Sequence, residues 1–393
     1  MQSTTIHIVG GGIAGLTTAL ALSRHGFAVT LFEQSGQFGE VGAGITIGPN
    51  AARVLVALGL EEKLLAHTWT PRHGGILHCQ TGERRSYGLL GDNYVSRFGA
   101  PFWHIHRADL LQVLVDAVRD APGVELRLDH QLAGLTQTDQ QVSCTFSNGA
   151  TATSEILIAC DGIKSRTRET VFPGTPATFT GYVAWRGLVD MDSLPGLKID
   201  PDFAVYAGPG KMFARYTVRR RALMNYVAMA TRADWREEGW SVRSEVAEVM
   251  ADFGDWHEDV QRIIRATPAQ RCFKWALHVR EPLAHWVAGR VALLGDAAHP
   301  MAPFLGLGAG IGIEDAMVLA RACAMSEDWR TALQRYQTAR VAHAAQAQRE
   351  SAKQGLHLLN AKPQPDQGTG QDKRLYNDDT LGLYAYDATT VPL

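Results

Sequence analysis

The opening of the chain constrains the fold more than any other stretch. Ile6-His7-Ile8-Val9 is an apolar run of strand length, and Gly10-Gly11-Gly12-Ile13-Ala14-Gly15 follows it at once. Glycines in such a GxGxxG turn let the backbone bend tightly and bring its N–H groups close to an anion at a helix N-terminus. Residues 16–25 then read as a helix stopped by Gly26, with Arg24 and His25 in the last turn, where cations suit the helix dipole. Residues 28–32 read as a second strand, and Glu33 follows it. A βαβ unit requires a parallel sheet covered by helices, so the expected class is α/β with a nucleotide-binding first domain. Gly10, Gly12, Ala14 and Gly15 would approach a pyrophosphate, and the Glu33 carboxylate would accept from ribose hydroxyls. The bland alternative is a tight glycine turn with no ligand.

At 393 residues the chain exceeds an ordinary single domain. Residues 34–50 are glycine-rich and read as a long functional loop; 51–58 and 106–121 read as helices. Strands over 124–128, 142–146 and 156–159 are expected to return to the first sheet. From Gly181 to about Lys274 the texture changes to alternating strands over 182–189, 203–207, 212–218 and 223–230, then an amphipathic helix over 242–253. That pattern suits an antiparallel sheet. A buried strand over 290–294 and a helix over 311–325 then resume the first domain. The expected division is a discontinuous nucleotide domain over 1–75, 101–180 and 275–345, a smaller sheet domain over 76–100 and 181–274, and a C-terminal helix and tail over 346–393. Within the last part, 331–359 reads as helix and 362–379 as a weakly structured polar tail.

Composition removes several functions. Hydrophobic residues at 46% and charged residues at 20% describe an ordinary globular chain. With 38 Lys and Arg against 40 Asp and Glu, no basic surplus supports nucleic-acid or anionic-membrane binding. Arg219-Arg220-Arg221 reads as a solvated turn between strands. Cys79, Cys144, Cys160, Cys272 and Cys323 are scattered without CxxC spacing, which argues against a disulfide framework and a zinc site and fits a reducing cytoplasm. Nor do the dispersed histidines show metal-ligand spacing, so no metal is expected. The first apolar stretch has no Lys or Arg before it and is broken by glycines, so neither a signal peptide nor a membrane span is expected.

The first unit alone does not separate NAD from FAD. A second signal is Leu293-Leu294-Gly295-Asp296-Ala297-Ala298-His299-Pro300, which leads through Gly306, Gly308, Ala309 and Gly310 into a helix containing Glu314 and Asp315. A carboxylate after a buried strand suits a ribityl hydroxyl, and the helix N-terminus behind it suits the charge that collects on a reduced flavin ring. A third is Cys160-Asp161-Gly162-Ile163-Lys164-Ser165-Arg166-Thr167-Arg168. In this order the three segments resemble the single-component flavoprotein monooxygenases, the aromatic hydroxylase family. The likeness extends to Gly42-Ala43-Gly44-Ile45, His106-Arg107-Ala108-Asp109-Leu110 and Gly181-Tyr182-Val183-Ala184-Trp185-Arg186-Gly187, nearest to salicylate, 3-hydroxybenzoate and 6-hydroxynicotinate hydroxylases.

The resemblance implies a Rossmann-like FAD domain interrupted by a smaller antiparallel β-sheet substrate domain. It implies non-covalent FAD, NADH or NADPH as co-substrate, and O2 activated as a flavin C4a-hydroperoxide that hydroxylates a small aromatic ring. The chain would act as a monomer or homodimer. Gly12, Ala14, Glu33, Gln34, Thr46, Arg107, Leu132, Asp161 and Asp296 would contact FAD, with Gly306 to Gly310 near the isoalloxazine. For Arg107 the competing reading is an ion pair with Asp109. Relatives often carry His and Tyr four residues apart on one strand of the second domain; here the pair is Met212 and Tyr216. Tyr216 would orient a substrate hydroxyl, whereas Met212 offers no acid or base. Trp185 is a further substrate candidate, with a core role as its competitor. Lys211 and Arg215 fall on the opposite face and read as solvated. His299 and Pro300 would shape the loop beside the flavin and complete the candidate catalytic set. Rival readings are a flavin hydroxylase of a purine-like ring, an epoxidase, a flavin-binding protein without catalysis and a plain NAD dehydrogenase.

Overall fold

The computed structural model describes residues 4–39, 42–173, 176–232, 234–236, 242–359 and 381–393. The tail expected over 362–379 lies outside the described residues. A six-stranded sheet runs in the order Val287–Ala288, Val291–Leu293, Ile156–Ala159, Ile6–Val9, Val29–Phe32, Val124–Arg127. All its pairs are parallel except the first. Ile6–Val9 and Ile156–Ala159 are buried at every position, the continuous apolar run that a parallel sheet covered on both faces demands. Helices Ile13–Arg24, Arg107–Arg119 and Gly308–Ala324 contribute to one core with this sheet. Two of them come close because small residues meet: a Cβ on Gly312 would lie 3.3 Å from that of Ala14, and one on Gly295 only 3.0 Å from it.

An eight-stranded sheet is the second body, in the order Val242–Arg243, Cys272–Val279, Thr178–Asp190, Leu223–Thr231, Lys211–Val218, Phe203–Gly208, His73–His78, Arg84–Leu89. Only Phe203–Gly208 with His73–His78 is parallel. Alternation along its strands separates two faces. The outer one carries Trp185, Tyr206, Phe213 and Tyr226 beneath the helices Val246–Phe253 and Glu258–Arg265. The inner one carries Ala184, Met212, Ala214 and Met229 and packs against Phe304 and the end of the helix Trp329–Leu359.

Three expectations change. Inside the glycine-rich stretch, Gly44–Ile47 is a strand paired antiparallel with Trp103–His106, and a helix begins at Pro49. Pairing with an apolar partner strand overrides the loop-like composition. Val142–Phe146 leaves the first sheet for a separate antiparallel one with Leu132–Gln137 and Thr151–Ser154. Its buried residues, Val142, Cys144 and Phe146, alternate, so only one face needs cover. The stretch 242–253 splits into the strand Val242–Arg243 and the helix Val246–Phe253. Among the described residues no helix is long and apolar enough to cross a membrane, and no group of three or more His, Cys, Asp or Glu could hold a metal ion. All five cysteines are free and buried.

Candidate active site

The glycine turn is held by geometry only glycine satisfies. Gly10 has φ +103°, its N–H donates to the Phe32 carbonyl at 2.8 Å, and a Cβ there would collide with the Cys160 carbonyl. Gly12 is different: a Cβ would meet nothing within 4 Å. It caps the helix Ile13–Arg24 without any side-chain hydrogen bond, so that N-terminus is open to an anion. Glu33 stands beside it, its Oε2 accepting from the Gly11 N–H at 2.6 Å and its Oε1 from the Ser35 N–H at 2.9 Å. Gln34 is exposed next to it. Leu132 is buried with Val9, Phe32 and Phe146, so its side chain supports this end of the sheet. Arg107 is half-buried and anchors its own N–H on the Ala43 carbonyl at 2.8 Å. Asp109, its competing ion-pair partner, accepts from both Nε and Nη2 of Arg219 at 2.9 and 2.8 Å.

At the other end, Gly295 has φ +64° and abuts Ala14, which brings the Asp296 loop against the first turn of the first helix. Asp296 is exposed and makes no hydrogen bond among the described residues. Surrounding protein pushes its carboxyl pKa up, opposed by the positive fields of His299 and Arg107. Thr46 donates from its hydroxyl to the Gly306 carbonyl at 3.1 Å, and Gly306 has φ +66°. The helix Gly308–Ala324 starts without a side-chain cap, leaving Gly308, Ala309 and Gly310 as its first turn. Asp161 is committed inward: its carboxylate accepts from Ser165 Oγ at 2.5 Å and from the Thr167 N–H and hydroxyl at 3.0 and 2.9 Å. It therefore ties down the first turn of the helix Arg166–Val171, whose cap is Ser165. Two uncapped helix N-termini, a carboxylate at the nucleotide end and an unpartnered one at the other fit the groups of FAD: pyrophosphate, ribose, ribityl chain and flavin ring.

On the second sheet, Met212 and Tyr216 share the inner face and are 3% and 6% exposed. The Tyr216 ring lies 4.4 Å from that of His104 and 5.7 Å from that of Phe203. Burial pushes its phenol pKa far above the usual range, so it is a neutral donor at ordinary pH. Trp185, expected as a substrate contact, is on the outer face against Phe253, because odd-numbered positions of its strand face the helices Val246–Phe253 and Glu258–Arg265. Arg215, expected to be solvated, is 1% exposed, with Nη1 donating to the Pro201 carbonyl at 2.9 Å. Lys211 is partly exposed and donates to the Asp252 carbonyl at 2.6 Å.

A family model for FAD-binding domains matches residues 3–351. The chain belongs to the FAD-dependent aromatic hydroxylases. A 3-amino-4-hydroxybenzoate 2-monooxygenase of Streptomyces platensis is 35% identical over 98% of this chain and 97% of its own length. A 6-hydroxynicotinate 3-monooxygenase of Bordetella bronchiseptica is 33% identical over 88% and 90%. Among solved structures, a salicylate hydroxylase in complex with its substrate superposes with a TM-score of 0.82 at 26% identity, covering 98% of this chain and 96% of that one. The protein is a flavoprotein monooxygenase, and its cofactor is FAD.

In this hydroxylase a buried charge network carries the loop from Gly295 to Pro300. Asp315 accepts from the Gly295 N–H at 3.1 Å, from His299 Nε2 at 2.5 Å and from Arg340 Nε at 2.7 Å. Glu314 accepts from Asn50 Nδ2 at 2.5 Å, while its other oxygen lies 2.6 Å from Arg340 Nη2 and 3.0 Å from His343 Nε2. Arg340 and His299 beside it hold the Asp315 carboxyl down at about 2 despite burial. His299, expected among the catalytic groups, is fully buried in this network and so fixes the loop from behind. The Pro300 carbonyl is likewise tied to Gln348 Nε2 at 2.9 Å. Sequence reasoning missed Arg340, His104 and Asn225. The last two were readable as polar residues inside apolar strands; nothing distinguished Arg340 in a helix rich in Ala, Gln and Arg.

Proposed function

We propose that this hydroxylase inserts one oxygen atom of O2 into a small aromatic or heteroaromatic acid that already carries a ring hydroxyl, with NADH or NADPH as electron donor. The observation that carries the reading is Tyr216, a neutral tyrosine on the apolar inner face of the eight-stranded sheet, beside the strand Gly44–Ile47 whose Thr46 contacts the Gly306 loop. Bound FAD supplies electron transfer from the nicotinamide and the activation of O2. The chain's own residues do the rest. Glu33 and the open helix at Gly12 bind the nucleotide end, and Asp296 takes ribityl hydroxyls. Gly308, Ala309 and Gly310 offer main-chain N–H groups where charge collects. Met212, Ala214 and Met229 keep water from the ring face, and Tyr216 donates to the substrate oxygen. Met212 moves no proton, so the substrate's own acidity or another group must supply any ionisation. The names of the relatives, acting on an aminohydroxybenzoate, a hydroxynicotinate and a salicylate, support the same substrate class.

The test is a screen of aromatic acids for stimulated NADH or NADPH oxidation, with product mass showing one added oxygen. Tyr216→Phe should weaken binding of the stimulating acid by about 1 kcal/mol and divert reducing equivalents to H2O2. Full coupling of NADH consumed to product formed in that variant would return Tyr216 to an ordinary core tyrosine.

A further inference from the structure

Three polar side chains meet at one point of an otherwise apolar face, and none completes its hydrogen bonds. His104 lies on the strand Trp103–His106 and is fully buried; one ring nitrogen reaches the Thr217 main chain, and the other is left without a partner. Its ring rests against Tyr216 at 4.4 Å, and the Tyr216 hydroxyl makes no hydrogen bond among the described residues. Asn225 stands opposite Tyr216 in the neighbouring strand and is 1% exposed. Its Oδ1 accepts from the Gly44 N–H at 2.7 Å, which fixes the amide orientation; its Nδ2 is left with no acceptor. A Cβ built on Gly44 would lie 2.7 Å from Asn225 Cγ and 2.8 Å from a ring carbon of Tyr216, so both side chains pack against the same glycine, side by side. Buried polar groups in folded proteins are nearly always paired, and a cluster of open ones calls for a ligand that completes them.

We propose that His104, Tyr216 and Asn225 form a subsite that reads a single ring hydroxyl, with Asn225 and Tyr216 donating to its oxygen and His104 accepting its hydrogen. The inference rests on the substrate class proposed above and identifies His104 and Asn225 as specificity-determining residues. Burial holds the His104 imidazole down at about 3, so it is neutral and has a nitrogen free to accept. The subsite also accounts for Met212: the polar contacts of this strand have moved to its other end, where a histidine from the first domain replaces the one relatives carry on the strand itself. A pocket built to bond a hydroxyl rejects the analogue without it, because its own buried groups are then left open.

The holoenzyme is titrated with the three monohydroxybenzoates and 6-hydroxynicotinate, and with benzoate and nicotinate as their deoxy parents. Binding is read from the change in flavin visible absorbance without any NADH. Wild type should bind at least one hydroxylated probe about tenfold or more tightly than its parent. In His104→Phe, which keeps a ring against Tyr216, that ratio should fall below about threefold with the parent's affinity unchanged. Asn225→Asp keeps the acceptor for Gly44 and removes the donor, and should collapse the ratio in the same way. A purely structural role would weaken probe and parent equally, and FAD retention with thermal unfolding verifies that each variant is folded. An unchanged ratio in both variants, or a wild-type ratio near one, overturns the subsite. Failure of every probe to bind wild type overturns the substrate class, and the subsite with it.

Discussion

Asp296 is an exposed carboxylate without a hydrogen-bond partner among the described residues, beside Gly295 with its φ of +64°. Such a group keeps its charge cheaply only when a ligand or water completes it. Asp296→Ala should therefore lower FAD affinity by about 2–3 kcal/mol, the usual loss for a charged hydrogen-bonding partner. Titration of apoprotein with FAD, followed by quenching of flavin fluorescence, measures it; equal affinity in the variant would remove Asp296 from the ribityl site. Glu33 differs at this scale, because Gly11 and Ser35 already bond it, so a ribose must share an occupied carboxylate. Both acids were readable from their position after a strand. Their different states of satisfaction were not, since each depends on where other loops pass.

Between elements, the helices Gly308–Ala324 and Trp329–Leu359 are locked by Arg340 on Glu314 and Asp315, with all three side chains fully buried. Removing one member of a buried ion network strands the others. Arg340→Met should accordingly cost about 3–5 kcal/mol, seen as a lower thermal unfolding midpoint. Replacing Arg340, Glu314 and Asp315 together by apolar or amide residues should cost less than the single change. Additive losses would mean that the three do not act as a unit. The loss should also reach function, because Asp315 holds the Gly295 N–H and thereby the Asp296 loop. Helical periodicity marks only an Ala- and Gln-rich helix here; the pairing is between residues brought together by packing.

For the whole molecule the buried histidines set an acid limit. Burial depresses His104 to about 3 and His7 to about 4, against an ordinary value near 6.5. Each is neutral when folded and binds a proton more readily when unfolded. Their contribution is therefore complete above about pH 6.5 and declines as pH falls toward 4, by up to about 1.4 kcal/mol per unit for each group. Asp315 titrates below that window. Urea unfolding midpoints should drop between pH 7.5 and pH 5, and His104→Phe should flatten that slope. A midpoint constant across the range would show that these histidines are already solvated. What the amino-acid order determined by itself was local: glycine positions that only one backbone path satisfies, strand and helix periods, and carboxylates placed just after strands. Those features are short-range, so the nucleotide unit, the α/β class and the FAD cofactor were legible in the order of residues alone. Only tertiary structure decided which face of each strand turned inward. That put Trp185 on the outer side of the second sheet, covered Arg215, which its strand's parity had placed there as a solvated residue, and gathered His104, Tyr216 and Asn225 from three strands. The physical reason is that a one-residue difference in parity reverses a side chain's face, and a buried polar group gains its meaning from neighbours that lie far away in the chain.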